Sequence, residues 1–248
     1  MTRGIGKEFL FKTRYEHLEK SQQEQGMPQP PLEAPYDVAG RLFDLPSPDE
    51  LPMEPVDLRA VIAERRSVRK YAPEPMTQAE LSYLLWATQG IKSQVPGKLT
   101  RRTVPSAGAR HAFETVLMVN NVEGLPSGLY RYLAGTHQLV TMRLGESVTE
   151  DVTHACLNQA MVRDCAVAFI WMVVLERMYW RYGERGYRLL FLDVGHVCQN
   201  LYLAAWPLNY GVCAIGAFFD DQMDTLLGLD GEEQFVIYAA TVGQRPRD

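Results

Sequence analysis

Two segments of the chain space their apolar residues as a helix does. Residues 58–62 carry apolar side chains on one helical face, and this pattern stops at the basic turn that begins at Arg65. Thr77 and Glu80 have the spacing of a capping box, and the apolar stripe that follows ends at Gly90, a residue type that commonly terminates helices. The pattern therefore predicts one helix that runs into a cationic turn and a second helix between the two cap positions.

The second half of the chain reads as strands and helices in alternation. The segment AVAFIWMVV is continuously apolar and rich in β-branched residues, which predicts a central strand covered on both faces. Strands are predicted at 113–120, 128–132, 138–142, 166–174, 212–218 and 234–241, and helices at 147–158, at 189–205 and from Asp220 onward. The helix at 189–205 is apolar almost all round, so we expect it in the core or in a subunit interface. This order predicts an α+β fold, a mixed sheet flanked by helices.

A proline-rich segment precedes these elements. Residues 21–55 are rich in Gln, Glu and Pro, and prolines at this density disfavour helices and central strands. We therefore expect two parts, an extended N-terminal arm at 1–55 that wraps the body or a partner, and a folded domain at 56–248.

Composition narrows the classes of partner. Of the 248 residues, 46% are hydrophobic, and the formal net charge is -5 with a pI near 5.6. Proteins that bind nucleic acid usually concentrate an excess of Lys and Arg on one face, so DNA and RNA are not expected partners. Two short basic segments, 65–70 and 98–102, are either local anion sites or solvated arginines.

Cysteine spacing and apolar runs bear on the cellular location. The four cysteines have no CxxC pair, so we expect free thiols rather than a disulfide framework. The N-terminal segment lacks the apolar stretch of a signal peptide, and the longest apolar run, 165–175, is too short for a membrane-spanning helix. We expect a cytoplasmic protein that has no membrane partner.

Three segments could carry chemistry. In ERRSVRKY, guanidinium groups, a hydroxyl and turn amides could converge on one phosphate, although an exposed basic turn looks much the same. In RTVPSAGARH, small residues let the backbone approach a flat ring closely, unless the segment is an ordinary surface turn. In GVCAIGAF, Gly211 and Gly216 bracket a strand whose amides could face a cofactor edge, or mark a bulge.

Several other kinds of site have no motif in the sequence. No Rossmann or P-loop glycine pattern occurs in the expected context, which disfavours a dinucleotide domain of that type and nucleotide hydrolysis. The histidines lack H-x-x-x-H spacing, and His196 and Cys198 point to different helix faces, so no metal site is expected. No G-x-S-x-G elbow marks a hydrolase nucleophile.

Taken in order, many segments resemble one known family. ERRSVRKY, LLWATQGI, RTVPSAGARH, GLYRY, YGERGYR, LDVGHVCQNLYLAA, AIGAF and a C-terminal VGQR are similar to the SagB-type dehydrogenases of the nitroreductase superfamily. The segment GKEFLFKTRYEH also resembles the opening segment of that family. The resemblance covers most of the chain, and an ordered series of motifs is more specific than any one motif.

The resemblance implies a homodimer with two FMN sites at the subunit interface, each built by both chains. Arg65, Arg66 and Ser67 would hold the FMN phosphate, with help from Arg245. Arg69 would lie toward the pyrimidine side of the flavin, where a cation stabilises the negative charge that develops on reduction.

The rest of the implied flavin site comes from three more segments. A partner subunit would supply the small-residue loop of Pro105, Ser106, Ala107 and Gly108. The amides around Ile215 and Gly216 would lie near the reactive N5 edge of the flavin. The helix at 189–205 would then be a dimer helix.

One position departs from the family pattern. Members that oxidise azoline rings in ribosomal peptides have a Lys-Tyr pair where this chain has Arg181-Tyr182. Arginine stays protonated, so Arg181 could position or polarise a substrate but is a poor proton acceptor, whereas Tyr182 could act as an acid or a base. Both residues could also be ordinary helix-surface residues.

Three functions remain open at this point. The first is an FMN-dependent oxidoreductase that passes a hydride between flavin N5 and a small-molecule or peptide substrate, with azoline oxidation in peptide modification as one candidate reaction. The second is a nitro- or quinone reductase that takes electrons from NAD(P)H. The third is a flavin-binding subunit of a maturation complex without turnover of its own, which the proline-rich arm motivates.

Overall fold

The computed structural model describes residues 4–246 as eight helices and nine strands. The helices are α1 (Ile5–Lys12), α2 (Leu58–Glu64), α3 (Gln78–Gln89), α4 (Ser147–Ala155), α5 (Ala160–Asp164), α6 (Leu175–Tyr182), α7 (Gly186–Ala205) and α8 (Asp220–Leu227). The strands are β1 (Leu42–Asp44), β2 (Ile91–Val95), β3 (Leu99–Arg102), β4 (Phe113–Val119), β5 (Gly128–Leu133), β6 (Gln138–Leu144), β7 (Val167–Val174), β8 (Tyr210–Ile215) and β9 (Gln234–Gln244).

Seven strands form one large sheet in the order β1-β6-β5-β4-β7-β9-β8. Neighbouring strands in this order pair antiparallel, and the parallel pairings are isolated bridges such as Ser67 with Val212. Strands β2 and β3 form a separate two-stranded hairpin. The predicted α+β fold, a sheet flanked by helices, is confirmed.

Strand β7 shows why the apolar run at 166–174 carries no alternation. Phe169, Trp171 and Val173 belong to the core that contains α3, α6 and α7 residues, whereas Ile170 and Met172 belong to the core on the opposite face, with α4, α5 and α8. A strand with a hydrophobic core on each face needs apolar residues at every position. The predicted central position of this strand is confirmed by its pairing with β4 and β9.

The capping signals of α3 are confirmed. Thr77 accepts a hydrogen bond from the backbone N–H of Glu80, the Glu80 carboxylate accepts one from the backbone of Thr77, and the helix ends at Gly90. Helix α7 begins three residues before the predicted start, and its inner face, from Leu190 to Ala205, is buried. The strand predicted at 212–218 extends too far toward the C-terminus. The observed strand ends at Ile215, where its pairing with β9 ends at Ala239.

The proline-rich arm lies against the sheet. Its short strand β1 pairs with β6 at the edge of the sheet, where the prolines around it interrupt no central ladder. The Glu114 carboxylate accepts a hydrogen bond from the Ala34 amide and forms ion pairs with Arg177 at 2.6 Å and Arg131 at 3.3 Å. The two arginines also donate to carbonyl groups of the arm, those of residues 31, 34 and 35. The buried charges therefore attach the arm to the domain. The division at residue 55 stays a prediction.

Candidate functional site

The cationic turn follows directly from the end of α2. The helix ends because the chain at Arg65 leaves helical geometry, and two residues later Ser67 forms its bridge to Val212 of β8. The Val68 amide donates to the Val212 carbonyl at 2.9 Å. Gly211 permits this contact, because a Cβ there would lie 2.5 Å from the Cβ of Val68. The turn is thus fixed against the edge of the large sheet.

A tyrosine of α7 connects the turn to β8. The hydroxyl groups of Ser67 and Tyr202 lie 2.9 Å apart, and the Ala214 amide donates to the Tyr202 hydroxyl at 2.9 Å. The guanidinium carbon of Arg65 lies 5.3 Å from the centre of the Tyr202 ring, within cation–π range. Tyr202 is not among the predicted site residues, and its only sequence signal is its place in the segment LDVGHVCQNLYLAA.

The turn faces a surface groove of about 470 Å³ whose lining, among residues 4–246, has several cationic side chains and no carboxylate. Its polar lining consists of Arg66, Ser67, Arg69, Lys70, Asn209 and Arg245. Arg245 is held in place, because one of its guanidinium nitrogens donates to the Trp206 carbonyl at 3.1 Å. Its Nε is buried and has no hydrogen-bond partner within residues 4–246. The groove therefore offers unneutralised donors for an anion.

The residues of this groove fit a phosphate monoester. A phosphate needs several cationic or neutral donors around three oxygens, and guanidinium forks with a hydroxyl are well suited to that task. The structure brings Arg66, Ser67, Arg69 and Arg245 together, although most of the domain's sequence separates Arg245 from the other three residues. Arg65 lies apart from this lining, over the Tyr202 ring.

The end of β8 presents open backbone. Ile215 is buried, whereas Gly216 is exposed just beyond the last residue of the strand. A Cβ at Gly216 would meet only Tyr238 at 3.7 Å, an ordinary contact, so space remains above this backbone. Backbone that is open at the end of a strand can donate to the edge of a planar ligand.

A buried aspartate on α7 holds the small-residue loop in place. The Ala107 amide donates to the Asp193 carboxylate at 3.0 Å, and the His111 amide donates to the Ser106 hydroxyl at 2.9 Å. Burial raises the pKa of Asp193, while hydrogen bonds from Ser106 and Ala107 oppose that rise. Pro105 and Gly108 are exposed. Asp193 is not among the predicted site residues, although an acidic residue within a largely apolar helix is a signal for it.

The small-residue loop and the cationic turn are attached to α7 at different positions. The loop is attached to α7 at Asp193 and the turn is attached at Tyr202. These anchors are separated by about 13.5 Å along the helix axis at 1.5 Å per residue. Within a single chain, the two predicted parts of the flavin site are therefore attached to α7 at well-separated positions.

The residues Arg181 and Tyr182 lie beside the small-residue loop instead. Gly108 has a φ of +57°, and a Cβ there would lie 2.6 Å from the Tyr182 hydroxyl and 2.7 Å from Arg181 Nε. Glycine is the residue type that tolerates both the left-handed backbone and this close approach. The structure thus groups the loop with the end of α6, and the cationic turn with β8 and Arg245.

Comparison with known proteins identifies the family. The sequence profile of the Nitroreductase family matches residues 62–244. The chain belongs to the nitroreductase family. The matched segment contains the cationic turn, the small-residue loop, α6, α7 and the end of β8, whereas the proline-rich arm lies outside it.

Two curated relatives of this nitroreductase-family chain differ in length. It is 34% identical over 206 residues to MJ1384 of Methanocaldococcus jannaschii, whose name assigns it provisionally to the nitroreductases; the match covers 83% of this chain and 98% of that protein. It is 29% identical over 154 residues to the trifolitoxin-processing protein TfxB of Rhizobium leguminosarum bv. trifolii, covering 60% of this chain and 41% of TfxB.

Solved structures share the fold. A crystal structure from Anabaena variabilis, also named provisionally as a nitroreductase, superposes with a TM-score of 0.70 at 32% identity, over 85% of this chain and 42% of that chain. The Escherichia coli microcin synthetase McbBCD complex gives 0.62 at 18% identity over 97% and 87% of the two chains. An FMN-bound structure from Desulfovibrio desulfuricans gives 0.54 at 18% identity, over 78% and 89%. The last two likenesses concern the fold alone.

Other candidate chemistry in the nitroreductase-family chain is limited. All four cysteines are free and buried, as predicted, and burial raises the pKa of Cys156 and Cys198 to about 12, so these thiols are poor nucleophiles. Residues 4–246 contain no cluster of three or more His, Cys, Asp or Glu residues that could hold a metal ion. In the same part of the chain, no helix has the length and apolar character needed to cross a membrane.

Proposed function

We propose that this nitroreductase-family oxidoreductase is an FMN-dependent enzyme of the SagB-type branch. It passes a hydride between the flavin and an organic substrate. The observation that carries the proposal is the cationic groove around Ser67, which combines three arginines and a hydroxyl, with no carboxylate among the lining residues in the described range 4–246. A phosphate monoester satisfies these donors, and FMN carries one at the end of its ribityl chain.

The chain's own residues have distinct tasks in this proposal. Arg66, Ser67 and Arg245 bind the phosphate, with Arg65 nearby, and Arg69 stabilises negative charge on the pyrimidine side of the ring. The backbone around Ile215 and Gly216 borders the reactive edge. Bound FMN supplies a ring that accepts and donates hydride at N5. Tyr202 positions the turn, because it joins Ser67 to the Ala214 amide.

A second copy of the chain completes the flavin site in this proposal. The small-residue loop is attached to α7 at Asp193, about 13.5 Å along the helix axis from Tyr202, where the cationic turn is attached. Phe191 and Leu192, on the outer face of α7, are 59% and 60% exposed, and Leu58 and Ile62 of α2 are also exposed. Apolar patches of this kind are typical of interfaces. A homodimer would cover them and bring the loop of one protomer to the turn of its partner.

Arg181 and Tyr182 act on the substrate. Tyr182 holds or delivers a proton through its hydroxyl, which lies against Gly108 of the loop. Arg181 orients the substrate and does not accept a proton, because a guanidinium stays protonated.

The names of the relatives support a role in peptide modification. TfxB is named as a trifolitoxin-processing protein, and McbBCD is a microcin synthetase complex. We therefore propose first that the enzyme oxidises an azoline ring in a peptide, together with a partner protein of such a complex. The Desulfovibrio structure shows that this fold can bind FMN, which agrees with the proposed cofactor.

A second function is favoured by Arg181. Azoline oxidation needs a base, and arginine is a poor one. A nitro- or quinone reductase that takes its electrons from NAD(P)H needs no such base. The third possibility, a flavin-binding subunit without turnover, differs from both in that no donor reduces its flavin.

The experiment is a titration of the purified chain with FMN, followed by absorbance, together with light scattering to obtain the oligomeric state. We expect one FMN per chain and a dimer. NAD(P)H should bleach the flavin of a reductase and a nitroaromatic should restore its colour, whereas an azoline peptide should bleach the flavin of an azoline oxidase. A chain that binds no FMN refutes the proposal.

A further inference from the structure

Three donor side chains converge on the exposed turn at Gly108. Arg110 Nε donates to the Gly108 carbonyl at 3.1 Å. A Cβ at Gly108 would lie within 2.7 Å of both Arg181 Nε and the Tyr182 hydroxyl. Two guanidinium groups and a phenol therefore surround one glycine, although they come from a loop and from the end of α6.

The two guanidinium groups are not neutralised. Within residues 4–246, no carboxylate oxygen lies within 4.0 Å of Arg110 or Arg181. Arg110 is only 6% exposed, and burial together with the charge of Arg181 lowers its pKa. Elsewhere in the molecule, the buried Arg131 and Arg177 share Glu114. A buried charge without a counterion raises the free energy of the protein. An anion bound at Gly108 would supply this counterion and so lower the free energy.

Donor capacity remains at both arginines. Besides its bond to Gly108, Arg110 makes only a long contact, 3.4 Å, to the Lys98 carbonyl, and its guanidinium carbon lies 5.3 Å from the centre of the Trp180 ring. The Arg181 side chain is exposed, and its guanidinium carbon lies 5.7 Å from the centre of the Tyr182 ring. A guanidinium has five N–H donors, so each arginine has several to offer.

We propose that Arg110, Arg181 and Tyr182 form a subsite for a carboxylate group of the substrate. This inference rests on the proposed function, because it names the class of molecule that reaches the reactive site: an organic acid, or a peptide segment with a free carboxylate. The loop that carries Gly108 is the one assigned to the flavin, so the carboxylate would anchor the substrate beside the ring.

The surroundings favour a single negative charge over a double one. Arg181 and Tyr182 also line a cavity of about 470 Å³ between α6 and the N-terminal segment. Its other ionisable lining residues are Tyr15, Glu19, Lys20, Glu24 and Arg185. With Arg181 included, the lining carries three cationic and two acidic side chains, a net charge of +1, which one carboxylate neutralises and a dianionic phosphate exceeds. A carboxylate is also matched by the flat fork of a guanidinium.

The test compares two molecules of equal shape and different charge. Benzoate and benzamide are titrated by calorimetry into the purified dimer with its FMN, and also into the protein without FMN. Loss of one charge-assisted hydrogen bond corresponds to about 10-fold or more in affinity, so we expect benzoate to bind at least about 10-fold more tightly than benzamide. Because calorimetry needs no turnover, a chain that fails to bind FMN is recognised separately from one that fails to bind benzoate.

Arg181 is the residue to change, because it is exposed and its replacement leaves the core intact. Arg181→Met should remove the preference for benzoate and leave benzamide binding as it was, and Arg181→Lys should keep part of the preference. The matched control, Arg101→Met, changes an exposed arginine of β3 and should have no effect. With NAD(P)H as donor, 4-nitrobenzoate should have a lower KM than 4-nitrobenzamide in the wild type and in Arg101→Met, and this difference should be lost in Arg181→Met.

Three results would overturn the subsite. Equal binding of benzoate and benzamide means that no carboxylate is recognised. Tighter binding of phenyl phosphate than of benzoate assigns the arginines to a phosphate instead. Weaker FMN binding by Arg181→Met, with an unchanged preference for benzoate, assigns Arg181 to the cofactor.

Discussion

Two groups of arginines in this molecule have opposite surroundings. Arg131 and Arg177 are almost fully buried, share the carboxylate of Glu114, and donate to carbonyl groups of the N-terminal arm. Arg66 and Arg69 are exposed and face a groove whose described lining residues include no carboxylate. The positive charge of the first group is neutralised by a carboxylate of the same chain, whereas the described residues around the second group provide none.

The difference shows how a structural arginine can be distinguished from a binding one. Burial removes a guanidinium from water, so a buried arginine is costly unless a carboxylate of the same fold, or a bound anion, neutralises its charge. An exposed arginine has no such requirement, and its donors stay available for a ligand. A group of arginines that share a groove without a carboxylate is therefore a candidate anion site, whereas the Glu114 cluster is a structural attachment of the arm.

The largest effect is expected at Glu114. Burial alone would raise its pKa, but Arg177 and Arg131 lower it, so the carboxylate is ionised in the folded protein. Glu114→Gln leaves two buried guanidinium charges without a counterion and should destabilise the fold by about 3–5 kcal/mol. Urea unfolding measures this change. Glu150→Gln is the matched control, because Glu150 pairs with Arg163 on the surface and should matter by less than about 1 kcal/mol. An equal loss of unfolding free energy in both variants would show that the buried ion pairs of Glu114 contribute no more to stability than a surface ion pair does.

The second largest effect concerns the groove. Arg66→Met should weaken FMN binding by about 10- to 100-fold, since a hydrogen bond to a charged group contributes about 1.5–3 kcal/mol. The unfolding free energy of the protein without FMN should stay unchanged, because Arg66 is exposed. Fluorescence titration with FMN measures the affinity, and Arg101→Met serves as the control. A variant that binds FMN as tightly as the wild type removes Arg66 from the phosphate site.

The third prediction tests the electrostatics of the buried region by pH. Burial, and then the charge of Arg102, lower the pKa of His111 to about 3, so the folded protein holds this imidazole neutral. In the unfolded chain its pKa is near 6.5. As the pH falls from 6.5 toward 3, His111 takes up a proton in the unfolded state but not in the folded state. This difference lowers the free energy of unfolding by about 1.4 kcal/mol per pH unit.

His111→Asn should remove that part of the pH dependence. Asparagine suits the position, because His111 has a φ of +45° and asparagine tolerates left-handed backbone. Urea unfolding at pH 7.5, 6.0 and 5.0 compares the two proteins. Parallel curves for the variant and the wild type would mean that His111 takes up a proton in the folded state as readily as in the unfolded state.

The smallest effect is expected where the exposed turn joins the sheet. Ser67→Ala removes the contact between its hydroxyl and that of Tyr202, but Tyr202 keeps the hydrogen bond from the Ala214 amide. The protein without FMN should lose about 0.5–1.5 kcal/mol of stability. Thermal unfolding measures this loss. A loss as large as that of Glu114→Gln would place the turn among the structural clusters.

The sequence by itself determined the elements and the segments of the candidate site. Capping residues define α3, β-branched runs define β4 and β7, and the arginine turn and the small-residue loop were both recognised as segments. These features are local: they depend on periodicity, on cap chemistry and on composition over a few neighbouring residues. The edge strand β1 and the β2–β3 hairpin were missed because prolines and exposed polar residues hide the alternation that marks a strand.

Only the tertiary structure decided which of these segments meet. Tyr202 contacts Ser67 across 135 positions of sequence, and Asp193 holds Ala107 across 86. No local pattern encodes such pairs, because the path of the chain between them determines the contact. The structure placed Arg181 and Tyr182 beside Gly108, away from the arginine turn, and left Arg110 without a carboxylate. The sequence thus fixes which groups are present, whereas the fold determines which charges are neutralised and which stay available to a ligand.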